Sequence, residues 1–252
     1  MKIEGTRAQS GDDADDPNAT GSLIKGLWNE KGMEIRSSAH VSVENVEFTA
    51  LARGLAITES ADVAVSKSEF HEIRSDGVDI VGSRNVVMDE NYFHDFHPWR
   101  GVRSGQGDHP DFIQLIPWGD GVGIDNLTIS DNVMLQGDGG WAQTIFGWAA
   151  NRGDVFSNIE ISGNFIQNSH IHGIALGDVV NASIHDNILI PSGSHDPENT
   201  TNGRPGIDVA PPVSSDIAGN IETYNNPLAG LSEEEVHLPH EEANVSAKAQ
   251  QA

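Results

Sequence analysis

Apolar and polar residues alternate in one short pattern that recurs along most of this chain. The pattern ends in Asn followed by another apolar residue, as in the sequence NLTISDN at residues 126–132. Four further copies occupy residues 40–45, 85–91, 158–164 and 181–187, and two weaker copies end at Ser68 and Asn220. Alternation with a period of two predicts β-strands, and recurrence at intervals of about 20–50 residues predicts a solenoid.

The spacing of the copies gives the size of one coil. Their last residues stand at positions 45, 68, 91, 132, 164, 187 and 220, and three of the intervals are 23 residues. A second strand pattern begins nine residues after the Asn in the regular coils, as at Gly54 and Gly173, and a weaker third one follows the Asn directly. Three short strands per coil predict a right-handed parallel β-helix of about seven coils, with the Asn residues stacked as an internal ladder about 4.8 Å apart.

The repeat divides the chain into three parts. Residues 1–31 are expected to be a flexible N-terminus and cap, and residues 32–227 form the parallel β-helix. Residues 228–252 are expected to be a partly helical C-terminal tail, because Ser232 precedes an acidic first turn. Short caps are expected at both ends, since an open solenoid end is an edge that can pair with other chains.

Composition limits the classes of function. A net charge of −24 argues against a nucleic-acid partner, which needs a basic surface. The chain has no cysteine, so disulfide and thiolate chemistry are excluded. It contains no run of 18 apolar residues, so membrane insertion is not predicted. The start of the chain lacks the apolar core of a classical signal peptide. We therefore expect an extracellular or virion-surface location to depend on another route of export or on assembly with a particle.

The insertions in the longer coils all flank one strand position. Eleven extra residues precede Asp111 and seven follow its strand, eight follow the next strand, and ten precede Gly206. Loops on both sides would turn this face into the floor of a groove over the strands that start at Gly77, Asp111, Ala142 and Gly173. In repeat proteins, insertions gathered on one face often mark the binding face.

Aromatic and charged residues are concentrated in and beside these insertions. Exposed aromatic rings with nearby charged and amide groups suit sugars, which present apolar faces and hydroxyl edges, although core packing is an alternative role for the rings. Four of the five tryptophans lie there, and Trp148 is one of them. The residues expected to bind substrate are Trp99, Arg100, Arg103, Gln114, Trp118, Trp141, Gln143, His170 and Arg204.

Five residues are candidates for catalysis, namely Asp79, Asp108, His109, Asp111 and His172. The period of two turns Asp79 outward, and Asp111 begins the strand of the next coil, so the two carboxyls would lie about one strand spacing apart. Paired carboxyls can share the acid and base roles of glycoside hydrolysis, and a histidine can move the proton in the β-elimination of a uronate. Asp108 and Asp111 can also simply bond turn amides, with His109 ordering the loop.

Residues 32–226 resemble the pectate-lyase-like superfamily of right-handed parallel β-helices. The resemblance rests on the coil period, the Asn ladder and the segment 76–80 followed by 85–88. It implies glycan binding along one sheet, as in polysaccharide lyases, polygalacturonase-type hydrolases, C5-epimerases and phage tailspikes. The paired-Asp motif of the polygalacturonases is absent, and the Asp-Pro-His motif of the epimerases is rearranged here as residues 108–111, with the sequence DHPD.

Two classes of function therefore stay open. One is an enzyme acting on a polysaccharide, which is acidic under the uronate hypothesis, by lyase, epimerase or hydrolase chemistry. The other is a non-catalytic glycan- or receptor-binding β-helix, such as a tailspike or tail fibre component, as a homotrimer or as part of a larger particle. Neither class requires a cofactor, and Ca²⁺ is the option that hard oxygen ligands would favour.

Overall fold

The computed structural model describes residues 1–9, 14–16, 25–101, 107–118, 123–148, 155–192, 205–210, 215–218 and 220–222. These residues form 22 strands and contain no helix. The chain passes through three parallel sheets in turn and returns to the first, so each circuit adds one strand to every sheet. No helix in the described part has the length and apolar composition to cross a membrane.

The three sheets are numbered in the order in which a coil visits them. Among the described residues, sheet 1 contains β2 (Lys31–Arg36), β5 (Arg53–Thr58), β8 (Val78–Val81), β11 (Asp111–Ile116), β14 (Gln143–Trp148), β17 (His172–Gly177) and β20 (Gly206–Ala210). Sheet 2 contains β3 (Ala39–Glu44), β6 (Ala61–Ser66), β9 (Arg84–Asp89), β12 (Asp125–Ser130), β15 (Phe156–Ser162), β18 (Val179–His185) and β21 (Ser215–Ala218). Sheet 3 contains β1 (Lys2–Glu4), β4 (Glu47–Thr49), β7 (Glu69–His71), β10 (Tyr92–His94), β13 (Val133–Leu135), β16 (Phe165–Asn168), β19 (Ile188–Pro191) and β22 (Ile221–Glu222). The predicted parallel β-helix is confirmed.

The core is built from like residues stacked one coil above the next. The rings of Phe48, Phe70 and Phe93 are fully buried and stack with their centroids 4.7 Å apart, which is the spacing of neighbouring strands. Each large apolar side chain buried in this way contributes roughly 1.5–3 kcal/mol to stability. Because every coil meets only its neighbours, the fold is held together by these coil-to-coil contacts.

The predicted asparagine ladder is confirmed at the bend between sheets 2 and 3. The side-chain amide of Asn91 donates to Oδ1 of Asn132 at 3.0 Å, and the series continues through Asn164, Asn187 and Asn220 at 2.9 Å per step. Each of these oxygens also accepts the backbone N–H of the preceding ladder residue. The ladder therefore satisfies buried backbone groups that the bend leaves without a strand partner.

In the first coil the ladder position belongs to Val46 rather than to Asn45. The backbone N–H of Val46 donates to Oγ of Ser68 at 3.2 Å, which is the bond that a ladder residue makes. Asn45 takes the left-handed position just before it (φ 55°), where the later coils have Lys67 and Glu90. Asn suits both positions, since it tolerates left-handed backbone, so the sequence pattern placed the ladder residue one position too early.

The start of the chain is part of the β-helix. β1 pairs in parallel with β4, and Ile3 packs against the core. Sequence analysis placed residues 1–31 outside the β-helix because a three-residue strand is too short to show an alternating pattern. Further along, Arg7 forms an antiparallel bridge with Trp28 and lies 5.0 Å over its ring. The tail predicted for residues 228–252 lies outside the described residues.

Candidate functional site

The outward face of sheet 1 presents one row of side chains that crosses every coil. The strand register sets Asp79 beside Gln114 in the next coil, and Gln114 beside Phe146 in the one after. The complete row is Glu34, Ala56, Asp79, Gln114, Phe146, Ala175 and Asp208. Asp79 faces out of the core, as the alternation predicts, and Asp208 lies four coils away, or about 19 Å at the usual strand spacing.

A groove runs over the N-terminal half of sheet 1. One part of about 700 Å³ lies over β2, β5, β8 and β11, with Trp118 at its edge. A second part of about 550 Å³ is lined by Asp76, Asp108 and His109, and the two parts share Lys31 and Arg53. These two parts share β8 and β11 with the predicted groove and lie over β2 and β5 rather than over β14 and β17, and His109 and Trp118, on either side of β11, line them.

Three buried carboxyl groups meet at the floor of this groove, and we call them the carboxyl cluster: Asp76, Asp79 and Asp111. Their exposed fractions are 2%, 4% and 0%. Arg53 reaches Oδ2 of Asp76 and Oδ2 of Asp79, at 3.3 Å each, and the backbone N–H of Asp111 donates to Oδ1 of Asp76 at 3.2 Å. Oδ1 of Asp79 and Oδ1 of Asp111 have no hydrogen-bond partner among the described residues. Both oxygens are shielded from solvent, so a molecule in the groove meets the carboxyl cluster through its exposed neighbours, Arg53 and His109.

Burial raises the pKa values of the carboxyl cluster. Loss of water raises the pKa of Asp76 well above its ordinary value, and the neighbouring carboxylates add to this effect while Arg53 opposes it. Burial also raises the pKa of Asp79, and it raises the pKa of Asp111 to about 6. Ionising all three carboxyls beside one guanidinium group is energetically unfavourable, so the cluster can hold a proton close to neutral pH.

His109 joins the buried cluster to the open groove. Its side chain is 59% exposed, and its Nδ1 lies 3.1 Å from Oδ2 of Asp111. This hydrogen bond raises the pKa of His109 above its ordinary value. Because Asp111 engages Nδ1, Nε2 is the ring nitrogen that can exchange a proton with a molecule in the groove.

Beyond His109 lies an aromatic surface formed by Phe146, His172, His170 and Trp141. The ring of Phe146 lies 5.6 Å from that of His172, His170 lies 5.0 Å further on, and Trp141 stacks on His170 at 4.7 Å. Phe146 also meets the edge of His109 at 5.9 Å. Burial lowers the pKa of His170 to about 3 and lowers that of His172, so both rings are uncharged at neutral pH.

Two predicted site residues lie away from the aromatic surface, and one of them, Asp108, lines the second part of the groove. Trp99 is 8% exposed and packs against Ala14 and Leu27, with its indole N–H bonded to the carbonyl of Ala14. Asp108 accepts the backbone N–H of Trp99 at 2.8 Å and lies 2.9 Å from Nε of Arg74. Burial raises the pKa of Asp108. The structure therefore gives Trp99 a packing position and Asp108 a place that holds the long loop.

The other predicted binding residues lie at the aromatic surface, beside the buried Asp111 or at the edge of the groove. Arg100 lies over the ring of Trp141 at 3.8 Å and donates to its carbonyl at 2.7 Å, so it supports the aromatic surface. Gln143 stands beside Asp111 in the register, and its buried Oε1 has no hydrogen-bond partner in the described part of the chain. Trp118 is 42% exposed, and Arg36 lies 6.0 Å from its ring. Arg103 and Arg204 lie outside the described residues.

Sequence analysis missed Asp76, Arg53, Lys31 and Phe146 as site residues. Lys31, Arg53, Asp76 and Asp111 all come at the start of, or just before, successive strands of sheet 1. Aligning the coils on these strands would have shown two cations and two carboxyls stacked at one position. Phe146 shares the outward row with Asp79, so the same alignment would have found it.

A metal site is a separate question. No group of three or more Asp, Glu, His or Cys side chains in the described part of the chain is arranged to hold a metal ion. The expectation of Ca²⁺ therefore rests on the sequence alone.

The family described as "Right handed beta helix region" matches residues 12–195. The chain belongs to this right-handed β-helix family. A search among curated protein sequences finds no match. Membership in the family establishes the hand and the coil architecture of this β-helix protein.

Three solved structures are similar in fold to this β-helix protein. They are PfbA, a surface adhesin of Streptococcus pneumoniae (15% identity, TM-score 0.38, 67% of this chain and 54% of that chain), the pectate lyase Bsp165PelA from Bacillus sp. N165 in complex with trigalacturonate (16%, 0.42, 85% and 74%), and the GH136 lacto-N-biosidase from Eubacterium ramulus (10%, 0.42, 88% and 48%). The chain spans about half the length of the first and the third. At these identities the likeness is one of fold.

Proposed function

We propose that this β-helix protein cleaves an acidic polysaccharide by β-elimination in the groove over sheet 1, with His109 as the proton-transfer group. The observation that carries the proposal is the carboxyl cluster with His109 at its edge. Buried polar atoms without partners are rare and costly, so Oδ1 of Asp79 and Oδ1 of Asp111 need an explanation. Groups with shifted pKa values in a cleft are typical of functional sites.

An acidic substrate fits the local charge of the groove better than the charge of the whole chain. The chain has 14 basic and 38 acidic residues, so its excess negative charge repels a polyanion. The two parts of the groove are lined by four basic and four acidic side chains, which are Lys31, Arg36, Arg53, Arg74, Glu34, Asp76, Asp79 and Asp108. Burial raises the pKa of three of the four acids, which is a shift toward their uncharged forms.

The chemistry requires a base, a neutraliser and a proton for the leaving group. Neutral His109 would accept the proton from C5 of a uronate through Nε2, while Asp111 holds the imidazolium that forms. The electrons of the broken C–H bond form the C4=C5 double bond, the bond from C4 to the glycosidic oxygen breaks, and that oxygen takes a proton from an acid or from water. Arg53 and Lys31 would neutralise the uronate carboxylate.

Elimination is favoured over hydrolysis by how the carboxyls are engaged. Glycoside hydrolysis commonly needs two carboxyls that both reach the substrate. Here Asp76 and Asp79 share Arg53, and Asp111 is fully buried behind His109. C5-epimerisation begins with the same proton abstraction and differs only in returning a proton to the opposite face, so the product decides between the two.

The test is turnover of a panel containing polygalacturonate, alginate and hyaluronan. Elimination gives an unsaturated end that absorbs in the ultraviolet, and epimerisation gives a changed uronate without a new chain end. We expect wild type and His40→Ala, a change at an exposed histidine of sheet 2, to be active and His109→Ala to be inactive. Equal rates for wild type and His109→Ala would remove His109 from the mechanism.

A second candidate is glycan binding without turnover, as expected of a structural β-helix on an extracellular or virion surface. The aromatic surface favours it, because stacked uncharged rings suit sugar faces and perform no proton transfer. Wild type that binds a glycan and converts none of the panel would select this candidate. The mass of the protein in solution then separates a monomer from a homotrimer.

A further inference from the structure

The groove and the aromatic surface differ in chemical character along the axis of the β-helix. Over β2 and β5 the outward side chains include Lys31, Arg36 and Arg53. Over β14 and β17 they include Phe146 and His172, whose rings lie nearly parallel at 5.6 Å. From β5 to β14 is three strand steps, or about 14 Å, which places the two ends within reach of one oligosaccharide.

The aromatic end disfavours a carboxylate. Acids close to it among the described residues are Asp111, which adjoins Gln143, and Asp208, which is close enough to His172 to raise its pKa against the larger effect of burial. Arg100, a cation at this end, lies over Trp141 and bonds its carbonyl. A carboxylate placed on Phe146 would lose water and meet like charge, and both effects are costly.

The same end suits an uncharged sugar. The apolar face of a pyranose ring can stack on the half-buried ring of Phe146. His172 and His170 continue this surface, and both rings are uncharged at neutral pH.

We propose that the site binds two kinds of sugar at once. An anionic sugar lies over β2, β5 and β8, and an uncharged sugar lies on the aromatic surface over β14 and β17. The natural substrate is then a heteropolysaccharide that contains both uronate and uncharged sugars, rather than a polyuronate. This inference rests on the proposed function and names its substrate class.

The test measures binding of oligosaccharides to the full chain carrying His109→Ala, so that turnover does not consume the probe. The panel has three classes: polyuronates, neutral glucans and mannans, and mixed oligosaccharides in which uronate and uncharged residues alternate in different linkages. We expect the tightest binder to be a mixed oligosaccharide, at least about tenfold tighter than the best polyuronate, which is 1.4 kcal/mol.

Variants locate the two ends. Phe146→Leu keeps an apolar side chain and removes the flat ring, so it should weaken the mixed binder about tenfold and the best polyuronate less than about twofold. Lys31→Ala should weaken both and reduce the salt dependence of binding. Val87→Ala, which shortens an exposed apolar side chain on sheet 2, is the control and should change neither.

The outcomes separate the two proposals. If a polyuronate binds most tightly, or if Phe146→Leu weakens both ligands equally, the proposal that the site binds two kinds of sugar is wrong. Elimination of an acidic polysaccharide would still stand. A neutral glycan as the tightest binder would overturn both. Absence of binding to every class would also overturn both, because the groove would then hold no glycan.

Discussion

Nδ1 of the exposed His109 lies 3.1 Å from Oδ2 of the fully buried Asp111. This contact links a proton-exchanging ring at the groove to a carboxyl whose pKa burial raises to about 6. Each group changes the protonation of the other, because the carboxylate favours the imidazolium and the imidazolium favours the carboxylate. The pair therefore sets the pH at which the groove can accept a proton.

The first prediction concerns the pH dependence of turnover in Asp111→Asn. His109 must be neutral to act as a base, so the wild-type rate should rise with pH through the raised pKa of His109. Asn removes the hydrogen bond and the charge that raise this pKa, so the rising limb should move to lower pH. The maximum rate should fall by up to roughly 10⁴-fold, because Asn no longer fixes the tautomer of His109 or stabilises the imidazolium that forms. An unmoved limb in the pH–rate profile would exclude His109 as the base.

The second prediction concerns the asparagine ladder. Asn132→Ala leaves buried backbone groups without partners and should lower the free energy of unfolding by roughly 1–3 kcal/mol. The control is Asn126→Gly, which removes an exposed side chain that donates to Asn85 and keeps the left-handed backbone at this position (φ 57°) free of strain. Chemical denaturation measures both, and equal losses for the two variants would contradict the assignment of stability to the buried ladder.

The third prediction concerns the stability of sheet 3 at alkaline pH. Although burial disfavours the charged ring, hydrogen bonds to Asp95 and Glu69 raise the pKa of His94 to about 9. The pKa is about 6.5 in the unfolded chain, so the stabilisation is complete below pH 6.5 and is lost as the pH rises to 9. The loss should be on the order of 3 kcal/mol, because a pKa difference of one is worth about 1.4 kcal/mol.

Thermal unfolding of His94→Gln across this range tests the third prediction. The variant should lose less stability than wild type between pH 6.5 and 9, whereas His40→Gln at an exposed position should behave as wild type. An identical slope for His94→Gln and wild type would assign the pH dependence to other groups.

The fourth prediction separates two tryptophans that look alike in sequence. Trp99→Ala opens a cavity against Ala14 and Leu27 and should cost roughly 3–5 kcal/mol. Trp118→Ala removes a ring that is 42% exposed at the groove edge, so it should weaken glycan binding with little loss of stability. Melting curves and glycan titrations of both variants decide this, and the reverse result would exchange the roles of the two rings.

The coils and the ladder could be predicted because their signals are local. A strand with one buried face repeats every two residues, and a bend that needs an amide donor selects Asn, so residues 126–132 and 158–164 are recognisable one at a time. Asn45 shows the limit of this approach. Asn satisfies both the left-handed position and the ladder position, and only the register with β6 separates the two.

The candidate site was harder to predict because it joins residues from different coils. Arg53 and Asp76 belong to neighbouring coils, and their ion pair depends on the register of β5 and β8. The position of Trp99 was also hard to predict, because it depends on a distant segment of the chain. A tryptophan in an insertion faces the groove or the core according to which segment covers it, and Trp99 is covered by a segment about 85 residues earlier in the chain.

The most direct test of the central claim is a structure of His109→Ala with a bound oligosaccharide that contains uronate and that wild type converts. The account predicts the sugar over sheet 1, with a uronate carboxylate at Arg53 and Lys31 and its C5 atom facing the position of the missing imidazole. Density for the sugar on sheet 2 or sheet 3, or over sheet 1 with C5 turned away from residue 109, would contradict it.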